Sequence, residues 1–528
     1  MSRSEVLVIV PPNSNTVIDG RLLTVTRPEE HSDWSDFLCL GALSLVSALA
    51  QNPQISPVYI DGTVISLDEV LAYITDHAEH ILAVCVGVLT ANFEAGVLIA
   101  QHAKITDPRI ATVAGNDHFS SLWAECMTAA SCLDFGFVGN EVVGPFTRLI
   151  AALRAGKAVE PEELPGLVYR TSEGPRLTPP LREPVFTGFD YGHVDGAFQH
   201  TALYTGNFQG RIAPRVHELL GRKVTAGVPV EIGRGCVKFA GDDACTFCSI
   251  HAGQLWRNQV GPHEAWAVLE AAFAAGYDYL YLTADELPMT FAKLLTAMDG
   301  ARPGWWSALA EEERPVLVGY GRADGIADPR RTALLTGLGV RQIMIGMDAG
   351  APLSLAAMNK PLGGRRRDVL AEAETLYQLN SKAITVAREH GLLIRAGFVV
   401  GHIGMTRRLL DENVERILAL ISEGATTGVF SAVDVEVLSP QPGARDFTYL
   451  TTPQAARAAA AHLGLPIADD PVLHEVAQRW SGQAIVPPED AMRDYARALM
   501  PDLDFDELAQ ARTAIRQHAK ACGVVIGE

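Results

Sequence analysis

Glu231-Ile-Gly-Arg-Gly-Cys236-Val-Lys-Phe-Ala-Gly-Asp-Asp-Ala-Cys245-Thr-Phe-Cys248-Ser-Ile250 is the stretch on which the reading of this chain turns. It follows a β-branched run, Val228 to Ile232, that reads as a strand. Its three thiols therefore stand where α/β folds place their ligands, at the carboxyl end of a strand. Cys245 and Cys248, two residues apart, can reach one metal centre, and the loop with Gly241, Asp242 and Asp243 can bend to bring Cys236 to them. Structural zinc takes four protein ligands, and the fourth would have to be His251. A 4Fe-4S cluster held by three cysteines leaves one iron open to a bound molecule.

Strand and helix patterns alternate on both sides of this stretch. Before it come Val6 to Val10, a helix Phe37 to Ala50, Val58 to Asp61, Ile81 to Leu89, a helix Asn92 to Ala103, Ile110 to Ala114 and Phe135 to Val138. Strands joined by crossover helices predict a doubly wound, Rossmann-like sheet over residues 1–170. Residues 171–226, rich in Pro, Gly and aromatics, break the rhythm and read as a linker or bridging region. After them the strands are Val228 to Ile232, Tyr279 to Thr283, Val316 to Tyr320, Gln342 to Gly346, Leu393 to Val400 and Asp434 to Leu438. The helices between them are Pro262 to Ala275, Leu287 to Met298, Arg330 to Leu338, Arg367 to His390 and Leu409 to Glu423. This predicts a partial (β/α)6 barrel over 227–450, with functional groups at the strand carboxyl ends. Residues 451–528 lose strand signals and read as a small helical C-terminal domain.

Composition narrows the possibilities. With 48% hydrophobic and 20% charged residues, the 528-residue chain can bury large cores. Its 62 acidic against 43 basic side chains, a formal charge of −19, would repel a polyphosphate, so no nucleic acid is expected as a partner. No apolar run reaches the ~18 residues of a membrane span, and Met1 to Asn13 lacks the features of a signal peptide. A cytoplasmic location without membrane contact is expected. Of the eight cysteines, Cys39, Cys85, Cys126, Cys132 and Cys522 stand singly in apolar or Ala-rich contexts and read as buried structural thiols.

The cysteine stretch and the residues beyond it resemble the radical S-adenosylmethionine (SAM) superfamily. Phe247 is the aromatic before the third cysteine, although eight residues separate the first two cysteines where the usual motif has three. Arg234-Gly235-Cys236 resembles an "RGC" opening, and Trp256-Arg257 sits where one branch keeps an Arg. Asp285-Glu286 ends the second strand, where family members bind the methionyl ammonium of SAM, and a helix N-cap is the alternative role for this pair. Gly346-Met-Asp348-Ala-Gly350 resembles "GxESG", Met358-Asn359-Lys360 resembles "MNKG", Phe398-Val-Val-Gly401 resembles "fivG" and Leu438 to Gly443 resembles "lsPxPGT". The resemblance implies a 4Fe-4S cluster on Cys236, Cys245 and Cys248, with SAM bound by Phe247, Asp285, Glu286, Asp348 and Gly401.

The first domain resembles the cobalamin-binding branch of that superfamily. Val6 to Pro12 is similar to "VLLVNPP", Leu40 to Leu45 to "LGLLYLA", Tyr59-Ile-Asp61 to "ILD", Val86 to Asn92 to "VGIS..T.N" and Pro165 to Arg170 to "IPGLVYR". The usual "GGPHAT" reads Gly115-Asn116-Asp117-His118-Phe-Ser, and "GEGE" becomes Gly139-Asn140-Glu141. The resemblance implies a corrinoid site at Pro12, Asp61, Thr90, Asn92, Gly115, Asn116, His118, Gly139 and Glu141. No D-x-H-x-x-G occurs, so no histidine is expected on cobalt, and His118 is expected as a solvent-facing loop residue.

Taken together, the resemblance implies a cobalamin-dependent radical SAM enzyme. Reductive SAM cleavage would activate an unactivated carbon, and methylcobalamin would deliver the methyl. C-methylation of a natural-product precursor or peptide is the expected reaction, with an electron donor such as flavodoxin or ferredoxin. Rearrangement, cyclisation or oxidation on the same cofactors is the alternative, and a non-catalytic cobalamin-binding protein is a third. The sequence singles out no catalytic side chain.

Overall fold

Val6, Leu7, Val8 and Ile9 are buried on both faces, the signature of a central strand in a covered parallel sheet. The computed structural model that places them describes residues 4–16, 23–28, 37–181, 189–238, 244–249, 260–362 and 368–527. Gly241, Asp242, Asp243, His251, Trp256 and Arg257 lie outside the described residues. The chain divides into two compact units. One is built mainly on Met1–Ile212, joined by Gly482–Pro488, and the other on Ala213–Cys248, Trp256–Ser481 and Glu489–Glu528.

In the first unit β1 (Glu5–Val10) is followed by a small antiparallel pair, β2 (Ser14–Thr16) and β3 (Leu23–Val25). The main sheet continues with β4 (Ser56–Asp61), β5 (Ile81–Gly87), β6 (Ala111–Gly115), β7 (Phe135–Phe137), β8 (Leu167–Thr171) and β9 (Gly174–Leu177). Its order is β4-β1-β5-β6-β7-β8-β9, parallel through β7 and antiparallel beyond. The parallel part runs second, first, third, fourth, fifth, the flavodoxin-like doubly wound order, whose ligand crevice lies where strand order reverses beside β1. The helix Leu67–His77, absent from the periodicity reading, starts on a capping box: Glu69 N–H donates to Ser66 Oγ and Ser66 N–H to Glu69 Oε2.

The second unit is a single parallel sheet in sequence order: β10 (Gly227–Val230), β11 (Tyr279–Leu282), β12 (Val316–Gly321), β13 (Val340–Asp348), β14 (Leu393–Val400), β15 (Phe430–Val437) and β16 (Val525–Ile526). The first six match the expected strand-helix units. The seventh, β16, pairs with the start of β15 and was masked in the sequence by its two-residue length.

Four expectations change. The helix expected from Leu287 begins at Ala292, because Pro288 follows Leu287 and Glu286 takes the Met289 and Thr290 amides into a turn. The expected linker holds β9, which pairs with β8 in the first sheet, and a 21-residue helix, His200–Leu220. The tail forms no unit of its own: it supplies β16 to the second unit's sheet, and Gly482–Pro488 joins the first unit. Among the single cysteines, Cys85 and Cys126 are buried, but Cys39, Cys132 and Cys522 are only half-buried. Among the described residues no helix is long and apolar enough to cross a membrane.

Gly424, inside the helix Arg407–Thr426, shows how tightly these layers pack. A Cβ there would lie 2.5 to 2.6 Å from three ring atoms of Phe430. Helix propensity favours alanine over glycine by about 1 kcal/mol, whereas overpacking a core costs about 1–3 kcal/mol. Gly424→Ala should therefore lower the melting temperature, as calorimetry can check, against the usual gain for this exchange in a helix.

Candidate functional site

In the second unit the three cysteines ride on irregular backbone after β10, so their placement depends on contacts from elsewhere. Gly235 N–H donates to Asp285 Oδ2 (2.7 Å), and Val237 N–H to Thr290 Oγ1 (3.0 Å). The Lys238 ammonium donates to Pro361 O, and Arg234 pairs with Glu231. The Cys245–Cys248 turn closes with Cys248 N–H donating to Cys245 O at 3.3 Å. Ala244 O accepts from Asn359 Nδ2 (2.8 Å) and Arg445 Nη2 (2.9 Å). Thr246 N–H donates to Met358 O and Asp446 N–H to Thr246 O, both at 3.0 Å. The motif Met358-Asn359-Lys360 is thus the loop's mechanical support.

Two buried cations serve the thiols. Arg322, at the end of β12, pairs with Asp324 at 3.0 Å and donates to Lys360 O at 2.9 Å. Burial opposes its charge, but Asp324 and the fields of Cys245 and Cys236 more than offset that. Lys360 is likewise held protonated against burial by Asp348 and Cys245. It pairs with Asp348 and lies 6.0 Å from the Phe247 ring centroid. Burial pushes the Cys236 thiol up to about 11, so an electropositive centre is needed to hold it as thiolate. Among the described residues no three His, Cys, Asp or Glu side chains converge as one ion would require. A multinuclear cluster, in which each thiolate binds a different iron, needs no such convergence.

The carboxylates expected to contact SAM divide by exposure. Glu286 is fully buried and accepts from Thr290 N–H and Thr290 Oγ1, both at 2.7 Å, and from Met289 N–H at 3.2 Å, which is a capping role. Asp348, also buried, sits at φ +56° in its pair with Lys360, and Gly346 leaves them room: a Cβ there would lie 2.8 Å from Asp348 Oδ1 and 3.1 Å from Lys360 Nζ. Asp285 remains half-buried. Phe247 packs against the buried cluster that Ala349, Leu355, Ala356, Met358, Ala373 and Leu376 form. Gly401, at φ +102°, faces Met500 and Leu508 of the tail. The sequence reading passed over Arg322, although an Arg directly after a buried strand was a legible signal.

In the first unit the expected corrinoid residues lie along the carboxyl edge of the sheet, and several are already closed off. Asp61 is buried beneath Tyr59 and Tyr204, whose hydroxyls donate to Oδ2, while Thr63 donates its N–H and Oγ1 to Oδ1. Tyr204 comes from the stretch read as a linker. Asn92 ties two loops together, accepting from Leu89 N–H at 2.6 Å and donating to Pro11 O at 3.1 Å. Pro12 packs beside Gly62, and Gly139 N–H donates to Ser120 Oγ at 3.2 Å. Glu141 is buried after β7, and Gly115 ends β6. Asn116 holds φ +79° and ψ −175°, a conformation suited to the glycine that "GGPHAT" has there.

His118 is buried rather than solvent-facing. Its Nε2 lies 2.9 Å from Ala484 O and its Nδ1 3.2 Å from Thr90 Oγ1. A carbonyl only accepts, so Nε2 carries the proton and Nδ1 accepts from the Thr90 hydroxyl. Both nitrogens are engaged. Thr90, His118 and the segment Gly482–Pro488 thus form one patch of the first unit.

Burial lowers the His118 pKa from 6.5 to about 4. A depressed histidine contributes stability that is fully present above the unfolded value and is lost as pH falls through the folded one. Between pH 6.5 and 4 that loss amounts to about 3 kcal/mol. Denaturant titrations across this window should show His118→Gln lacking that share of the acid destabilisation of the first unit.

No protein-family model matches the chain. The anaerobic magnesium-protoporphyrin IX monomethyl ester cyclase of Rubrivivax gelatinosus is 22% identical over 362 residues, a match spanning 67% of this chain and 57% of that protein. Among solved structures, the radical SAM methyltransferase TsrM from Kitasatospora setae, with cobalamin and a 4Fe-4S cluster bound, aligns with a TM-score of 0.61 at 16% identity, covering 98% of this chain and 91% of TsrM. OxsB, a cobalamin-dependent SAM radical enzyme with aqua-cobalamin and SAM bound, aligns with a TM-score of 0.51 at 16% identity, covering 79% of this chain and 52% of OxsB. The chain has the fold of these cobalamin-dependent radical SAM enzymes.

Proposed function

We propose that this chain is a cobalamin-dependent radical SAM C-methyltransferase acting on an unactivated carbon of a natural-product precursor or a peptide. The observation that carries the reading is the alignment with a methyltransferase of this kind over nearly the whole of both chains. The residues fit the cofactors. Cys236, Cys245 and Cys248 would hold the 4Fe-4S cluster, with Arg322 and Lys360 offsetting its thiolate charge. The carboxyl edge of the first sheet would hold the corrin, and His118, with both nitrogens engaged, would not ligate cobalt. When bound, these groups supply reductive cleavage of SAM and a transferable methyl, fed by a one-electron donor such as flavodoxin or ferredoxin. The chain's own residues bind, orient and exclude water.

A second reading has a specific observation behind it, because the curated relative is a cyclase. Ring formation, rearrangement or oxidation on the same cofactors would then replace methyl transfer. Product mass separates the two. With reconstituted enzyme, SAM, cobalamin and an accepted substrate, methyl transfer adds one CH2, and a product without added carbon would overturn the methyltransferase reading.

For SAM itself we assign the ammonium contact to Asp285, the carboxylate left with exposure, and a structural role to Glu286. A charge-assisted hydrogen bond contributes about 1.5–3 kcal/mol, so Asp285→Asn should weaken SAM binding about ten-fold or more. Glu286→Gln should lower the melting temperature and leave the SAM dissociation constant unchanged. Calorimetric titration and thermal melts on both variants check this, and the opposite pattern would move the ammonium to Glu286.

A further inference from the structure

Resting on the cluster reading above, we infer that Tyr495 and Asp446 are positioning residues for the cluster loop, through which the C-terminal helix Pro488–Leu499 sets the environment of the iron. Asp446 and Tyr495 are both fully buried, and neither belongs to any motif of the barrel. The Tyr495 hydroxyl donates to Asp446 Oδ1 at 2.6 Å. Asp446 N–H in turn donates to Thr246 O at 3.0 Å, between Cys245 and Cys248. Arg445, its neighbour, donates to Ala244 O at 2.9 Å. Two successive residues thus grip the loop from the side opposite the amide of Thr246, which Met358 O receives.

Asp446 and Thr246 are both buried, and burial raises the Asp446 carboxyl to about 6 while the Tyr495 and Thr246 hydroxyls pull it back down. A buried carboxylate is costly unless hydrogen bonds of this kind hold it, so the hydroxyls fix where it sits. Through the backbone bond to Thr246 the pair bears on a loop whose hydrogen bonds and nearby charge would tune the stability and potential of a cluster. Tyr495 then has a defined task. It fixes one oxygen, so that the charge and the backbone grip on Thr246 keep one geometry.

The test uses the full chain with its cluster reconstituted anaerobically, following iron release to a chelator, the electron paramagnetic resonance spectrum of the reduced cluster, its midpoint potential and the melting temperature. Tyr495→Phe keeps the packing and removes the hydroxyl, and Asp446→Asn keeps the size and removes the charge. Both should speed iron release about ten-fold, the usual scale for losing an outer partner of a metal site, and alter the spectrum. Asp446→Asn should also raise the midpoint potential. Asp494→Asn is the control: Asp494 lies on the same helix, but its carboxylate serves Trp480 and Arg479 instead. It should lower the melting temperature without changing iron release or the spectrum. Wild-type iron release and spectrum in Tyr495→Phe, or equal effects from Asp494→Asn, would overturn the inference while leaving the cluster reading intact. Joint replacement of Cys236, Cys245 and Cys248 by Ala should abolish iron binding, and iron retained there would overturn both.

Discussion

A loop that carries three thiols and whose described residues form no helix or strand must find partners for its buried backbone groups outside itself, and this need organises the second unit. Met358 O, Lys360 O and Pro361 O accept from Thr246, Arg322 and Lys238, while the Asn359 amide reaches back to Ala244 O. Asn359 holds φ +50°, a conformation that non-glycine residues adopt only where the surroundings impose it. Removing one partner of the buried Lys360–Asp348 pair would leave an uncompensated charge, a loss of about 3–5 kcal/mol. The pair therefore ties the end of β13 to the Met358-Asn359-Lys360 turn that holds the loop bearing Cys245.

The glycines of the neighbouring motif follow from the same requirement. Gly346 is bare so that Asp348 and Lys360 can meet, and Gly350 is bare because a Cβ there would lie 2.6 Å from Arg416 Cβ and 2.7 Å from Asn413 O. Asn413 Oδ1 accepts from Gly350 N–H and Ala351 N–H at 2.8 and 3.0 Å, docking the helix Arg407–Thr426 on the end of β13. A pattern that looks like ligand recognition in the sequence thus also does structural work. The two buried cations beside the thiols, Arg322 and Lys360, come from separate places, one directly after β12 and the other after the helix Pro352–Ala357.

The first unit solves a related problem differently. Its strand-end loops are laced to one another by side chains, Asn92 to Pro11 and Thr90 to His118, so the edge is ordered before any ligand arrives. Preorganisation of this kind spares a binding site the ordering cost it would otherwise incur on association. Closing off Asp61 under two tyrosines and His118 under Ala484 O also withdraws two polar side chains from ligand contact.

Sequence alone determined the elements whose signal is local. Alternation of β-branched runs with helical periods located all five parallel strands of the first sheet and six strands of the second, and the spacing of Cys236, Cys245 and Cys248 singled out the candidate cluster loop. Local signals reach only as far as a turn or a strand, so they could not show that Glu286 folds back on Thr290, that Tyr204 seals Asp61, or that Gly482–Pro488 belongs with residues nearly 400 positions earlier. The two residues of β16 carry no period to detect, and become a strand only because β15 offers an unpaired edge. The surroundings of Arg322, Asp446 and Tyr495 were likewise decided by tertiary structure, since burial and partners as far as 200 residues away set these common side chains apart.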